Sequence, residues 1–162
     1  MRKVICFHNP NEENAYLSNW SFSDFRVNGV QYSSMEQYMM HQKALTFGDM
    51  EIAEKIMAAS DFGEIKALGR QVRGYDDRIW SGIRQIVVYE GLLEKFLQNP
   101  KLKAQLLETG DALLAECALR DSIWAIGLTM HDEGRLNMEK WRGQNLLGFA
   151  LMQVRDKLSR EA

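Results

Sequence analysis

Only two cysteines, Cys6 and Cys117, occur in 162 residues, and 111 positions separate them. With seven Phe, five Tyr and four Trp available for a core, a disulfide framework is neither implied nor needed, and two reduced thiols are expected. The two prolines, Pro10 and Pro100, are isolated, and no Gly/Ser linker, charge block or repeat divides the chain, which predicts one domain over residues 1–162. Neither sign of charge dominates: 20 Lys and Arg face 22 Asp and Glu, a formal charge of -2. That balance excludes the electrostatic footprint of a protein binding a long stretch of nucleic acid, so any such contact must be local. The longest apolar run counting glycine, Leu146 to Met152, has seven residues, where a membrane span needs about 20. The apolar stretch after Arg2-Lys3 stops at His8, short of a signal-peptide core. A soluble, cytoplasmic protein is expected, without a membrane partner. His8, His41 and His131 lack metal-ligand spacing and the cysteines form no pair motif, so no metal is expected. Nor is there a Walker A loop, a Rossmann glycine fingerprint or a G-x-S-x-G elbow.

What is present is 46% apolar and 26% charged, the composition of a globular chain. Lys3 to Phe7 predicts a first strand. Asn28-Gly29 between the runs Phe25–Val27 and Val30–Tyr32 is a strong hairpin signal. From Ser33 the spacing becomes helical, and Ser33-x-x-Glu36 matches a capping box, with a helix to about Leu45. Further helices are predicted over Met50–Ala59, Gly63–Val72, Asp77–Gln98 and Lys101–Glu108. Ala112–Cys117 reads as a strand, although periodicity alone leaves helix open. Leu147, Ala150, Leu151, Val154 and Leu158, at offsets 0, 3, 4, 7 and 11, form one apolar helix face. The expected fold class is α+β: one compact, mostly helical domain with a small sheet and hairpin.

Glu36 and Lys43 lie seven positions apart on the Ser33 helix, two turns along one face with about 10.5 Å of rise between them. A ligand lying over Met39 and Met40 is within reach of a carboxylate and an amine, which offers acid/base chemistry or an amine nucleophile. On spacing alone the plainer reading leads: Glu36 completes the capping box and Lys43 is a solvated residue favouring the helix dipole. Ala15–Phe22 interleaves aromatics with small polar residues, suited to stacking on a heterocycle or to core packing. Asp121 and Trp124 pair a carboxylate with an indole in a loop, where Asp is also a common turn former. The amides entering the last helix at Trp141–Gly148 offer a phosphate site, with Asn145 as cap or ligand contact. Arg70 and Arg73 are further phosphate candidates or ordinary helix-end residues.

In order, these segments resemble the NADAR superfamily, also called the YbiA-like family. The resemblance rests on Leu17-Ser18-Asn19-Trp20, Ser34-Met35-Glu36-Gln37-Tyr38 continuing to Lys43, Leu68-Gly69-Arg70, and Trp80 with Arg84. It continues through Lys95-Phe96, Leu106–Asp111, Asp121-x-x-Trp124 and Gly143-x-Asn145-x-Leu147-Gly148-x-x-Leu151-Met152-x-Val154-Arg155. It implies a compact α+β fold and hydrolysis of an N-glycosidic bond, with Glu36 and Lys43 catalytic. It further implies Asn19, Trp20, Arg70, Trp80, Arg84, Asp121, Trp124 and Asn145 as substrate-binding residues, and no cofactor. Two positions depart from the family pattern. Trp20 stands where Phe is usual, and Trp124-Ala125-Ile126-Gly127 where many members have Trp-Gly-x-Gly, which implies a reshaped loop.

The expected substrate is an ADP-ribose-containing small molecule or a single ADP-ribosylated nucleotide in DNA or RNA, with guanine as the leading base. The alternative is a ribosylamino-phosphate intermediate of riboflavin synthesis. A non-catalytic module binding ADP-ribose or NAD is a third reading, which the retention of both Glu36 and Lys43 disfavours.

Overall fold

The computed structural model describes residues 2–161. In chain order its elements are β1 (Val4–Phe7), β2 (Phe22–Val27), β3 (Val30–Ser34), α1 (Met35–Thr46), α2 (Met50–Ala58), α3 (Phe62–Gly69), α4 (Asp77–Leu97), α5 (Pro100–Glu108), β4 (Leu113–Glu116) and α6 (Leu146–Arg160). Short 3-10 turns occur at Ala15–Leu17, Glu133–Leu136 and Met138–Lys140. This is the α+β class expected. The strand at Leu113–Glu116 resolves the ambiguity of Ala112–Cys117. Two compact units are present: Phe22–Asn99, and residues 2–21 with 100–161.

In Phe22–Asn99, β2 and β3 pair antiparallel across Asn28-Gly29, both at positive φ (51° and 79°), with Val27 opposite Val30 and Phe25 opposite Tyr32. Two successive left-handed residues make the turn whose twist matches the strands. The register shifts between Phe22 and Phe25. Phe25, Tyr32 and Tyr38 form a buried aromatic cluster with ring centroids 5.2–5.9 Å apart. His41 joins it as a packing residue, its Nδ1 2.7 Å from the Tyr32 hydroxyl.

Helix α1 is the centre of this unit, packed by α2, α3, α4 and β3. Its cap differs by one residue from the expected one. Ser34 is the N-cap and its Oγ accepts from the Gln37 amide at 3.1 Å. Gln37 Oε1 reaches back to the Ser33 amide at 2.9 Å. The box is therefore Ser34-x-x-Gln37, and Glu36 is released from the capping role the sequence assigned it. Helix α3 ends at Gly69 rather than Val72, because the Arg70 amide already turns back onto Lys66 and Ala67 carbonyls. A Cβ at Gly69 would collide with the Met40 side chain, so glycine lets the end of α3 close against α1.

In the other unit β1 and β4 pair in parallel, from Val4 opposite Leu113 to Phe7 opposite Glu116, and α6 packs on β4 with α5 beside it. Leu147, Ala150, Leu151, Val154 and Leu158 are all buried, as the apolar offsets predicted. Cys6 and Cys117 are free thiols.

Candidate functional site

Five of the ten residues singled out in the sequence lie in Phe22–Asn99. Glu36, on the first turn of α1, is only 5% exposed. Lys43, two turns later, is half-buried. Burial pushes its amine below the ordinary lysine range; the nearby Arg70 guanidinium adds to this and Glu36 opposes it. The three therefore form one electrostatic cluster, built on α1 and the end of α3. A desolvated amine with a second cation beside it keeps more of its neutral, nucleophilic form at a given pH than a solvated lysine. Trp80 is buried on α4 and Arg84 follows one turn later, half-buried. Arg84 acts electrostatically on the Tyr75 phenol.

Tyr75 escaped the sequence reading. Its ring lies under the Lys43 ammonium, 4.6 Å from Nζ to the centroid, and its hydroxyl donates to Asp77 Oδ1 at 2.8 Å. The loop carrying it is fixed from a distance. Asp49, N-cap of α2, accepts from the Arg73 backbone amide at 2.9 Å, from Arg73 Nε at 3.1 Å and from Arg73 Nη2 at 2.8 Å. Arg73 Nη2 also donates to Glu51 at 3.2 Å. The guanidinium that the sequence offered to a phosphate is thus committed to two carboxylates. An Asp and an Arg 24 positions apart carry no local signal that they meet.

The other five residues lie in the second unit. Asn19 is 6% exposed, and its Oδ1 has no hydrogen-bond partner among the described residues. A buried acceptor in that state is costly unless something donates to it. Trp20 is half-buried, its amide donating to Ser18 Oγ. Asp121 Oδ1 accepts from the amides of Ile123 and Trp124 at 2.9 and 2.8 Å, so this carboxylate shapes the turn that presents the half-buried Trp124. Asn145 starts α6 at φ 52° and is fully buried. Its Nδ2 donates to Leu114 O at 2.9 Å and its Oδ1 accepts from Glu116 N at 3.1 Å. It serves β4 as a surrogate strand partner and makes no side-chain cap.

The phosphate reading of the amides entering α6 is corrected here. Gln144, Asn145, Leu146 and Leu147 donate to the carbonyls of Ser122, Ala125, Ile123 and Trp124. Those donors are spent on the neighbouring loop. Gly143 and Gly148 permit the approach, since a Cβ at either would meet Ala125 O or Leu114 O. Among the described residues no group of three or more His, Cys, Asp or Glu is placed to hold a metal ion, and no helix is long and apolar enough to cross a membrane.

This fold is that of an N-glycosidase family. The NADAR domain profile matches residues 6–159, and the chain belongs to that family. It is 42% identical over 163 aligned positions to N-glycosidase R617 of Acanthamoeba polyphaga mimivirus, covering 96% of each chain. It is 34% identical to riboflavin biosynthesis protein VVA0006 of Vibrio vulnificus, over all of this chain but 40% of that protein. The NMR structure of the E. coli protein YbiA aligns over 99% of this chain and 87% of its own, with a TM-score of 0.81 at 27% identity. These names support a glycosyl hydrolase activity.

Proposed function

We propose that the chain, acting as one domain in the cytoplasm, is an N-glycosyl hydrolase that removes ADP-ribose from a modified nucleobase, with guanine as the base. The observation that carries the chemistry is the Lys43 amine, half-buried and lowered by desolvation and Arg70, on the same helix face as the buried Glu36. Cleaving the bond builds positive charge at the anomeric carbon and negative charge on the departing nitrogen. In this reading the C1–O4 bond of the sugar opens first, its electron pair going to O4 with a proton while the base nitrogen forms a double bond to C1. The neutral Lys43 amine then adds to C1, and Glu36 takes the proton that the amine sheds and delivers it to the leaving base. The base departs with the electron pair of the C1–N bond, leaving a Schiff base on Lys43. Water then adds to C1 and frees the lysine, so the net reaction is hydrolysis and uses no cofactor. Arg70 and Arg84 are the proposed anion contacts, and Trp20, Trp80 and Trp124 the proposed ring contacts. Asn19, Asp121 and Asn145 complete the proposed set; Asn19 supplies a buried acceptor in want of a donor.

A ribosylamino-phosphate substrate is the second reading, favoured by the similarity to the Vibrio riboflavin biosynthesis protein. Incubation with a guanine-ADP-ribosylated oligonucleotide and, separately, with riboflavin-pathway intermediates separates the two. Release of free ADP-ribose from the oligonucleotide alone is expected. Turnover of the intermediates alone selects the second reading. Tight ADP-ribose binding without turnover of either makes the chain a binding module.

A further inference from the structure

The Lys43 ammonium does not stand by itself on α1. It rests over the ring of Tyr75, 4.6 Å from the centroid, a distance at which a cation is held by the negative face of an aromatic ring. Tyr75 lies outside the regular elements and is 42% exposed, yet it is held from three directions. Phe47, at the end of α1, meets its ring edge-on with centroids 5.3 Å apart. Asp77, on the first turn of α4, accepts a hydrogen bond from its hydroxyl at 2.8 Å. Two residues back in the loop, Arg73 is tied to the buried Asp49. Between these anchors Gly74 adopts φ 78°, and a Cβ there would meet Phe47 O at 3.5 Å. A side chain at that position is strained by its φ, so glycine allows the turn that carries the ring beneath Lys43.

The geometric product of these anchors is one ring under one amine. We infer that Tyr75 is a positioning residue: its ring holds the Lys43 ammonium in the orientation from which, once it has lost its proton, the amine attacks, and covers that side of it against water. The inference rests on the proposed role of Lys43. The charged groups around the amine are Arg70 from the end of α3 and Glu36 from α1, with Arg84 of α4 acting on Tyr75 itself. A long, flexible lysine stem loses catalytic competence when its end group wanders, since a misplacement of about 1 Å costs on the order of 100-fold in rate. The ring, not the hydroxyl, is the working part, so Tyr75→Phe keeps the function and Tyr75→Leu removes it.

The test compares wild type, Tyr75→Phe, Tyr75→Leu and Lys43→Arg, each checked for folding by thermal melting. Lysine labelled with 13C at the ε position reports the contact directly, because the Lys43 signal carries the ring-current shift of Tyr75. Tyr75→Leu is expected to return that signal to the position of a solvated lysine and to lower kcat by about 10–100-fold, with KM little changed. Tyr75→Phe is expected to retain the shifted signal and most of kcat. An unmoved Lys43 signal in Tyr75→Leu overturns the contact. A full kcat in Tyr75→Leu, when Lys43→Arg is inactive, overturns the positioning role while leaving the Lys43 chemistry intact. Full turnover by Lys43→Arg overturns the Lys43 reading and the positioning role together, and the NMR signal then still reports whether the ring contact exists.

Discussion

Arg73 wraps the buried carboxylate of Asp49, with Nη2 2.8 Å from Oδ1 and Nε 3.1 Å from Oδ2. The same carboxylate caps α2 through the Ile52 amide. One side chain thus starts a helix and fixes the loop that carries Tyr75, which couples the stability of this unit to the geometry around Lys43.

Asp49→Asn is expected to lower the melting temperature and to flatten its acid dependence. The Arg73 guanidinium and backbone amide hold the Asp49 carboxyl well below the usual carboxylate range. A depressed folded value stabilises the native state at pH values above the unfolded one, about 3.9, and that contribution disappears as pH falls through the folded value. Wild type should therefore lose stability on acidification below about pH 4, and the gap to Asp49→Asn should narrow there. Melts between neutral and strongly acidic pH measure this; parallel curves would remove Asp49 as the source.

Asn145→Ala removes a side chain that satisfies Leu114 O and Glu116 N within a fully buried junction. Two orphaned backbone groups cost on the order of 2–6 kcal/mol together. Loss of stability should accompany any loss of activity. Unchanged denaturant stability with weakened ADP-ribose affinity would instead give Asn145 the contact role that the family resemblance implies.

Trp124 is half-buried on a turn organised by Asp121, which leaves part of the indole available to a ligand. Trp124→Ala should weaken ADP-ribose or substrate binding by about 5- to 150-fold, the equivalent of 1–3 kcal/mol of base stacking. Calorimetric titration checks the affinity, and a loss confined to thermal stability would make the indole a packing residue.

The parts of this molecule legible in the sequence are those set by local rules. Asn28-Gly29 announces its hairpin because two left-handed residues in a row suit few side chains. The face Leu147 to Leu158 announces α6 because burial on β4 demands that period. Where two local solutions compete, the sequence is ambiguous: Ser33 and Ser34 each have an acid or amide three residues on, and Ser34 wins because Gln37 also reaches the Met57 and Ile56 carbonyls of α2. Long-range placements were illegible. Nothing near Tyr75 points to Lys43, 32 positions earlier, and nothing near Gly143 tells that the α6 amides are consumed by residues 122–125.

Glu36→Gln separates chemistry from folding more cleanly than the sequence alone allowed. Had Glu36 been the capping residue, Gln could still have filled the box, but a negative charge at the start of α1 would have been lost along with any reaction. The cap is made by Ser34 and Gln37, so Glu36→Gln leaves it whole, keeps the side-chain volume and removes the group that moves the proton. Loss of general acid/base catalysis costs about 100- to 10,000-fold, and kcat should fall within that range while the melting temperature stays near wild type. Because Glu36 also raises the affinity of Lys43 for its proton, neutralising it should lower the lysine value further and shift any acid limb of kcat/KM that reports Lys43 to lower pH. The residual rate of the variant, followed against pH, reads both effects at once. A variant with full kcat and an unmoved acid limb would take Glu36 out of the reaction and leave Lys43 to act without it.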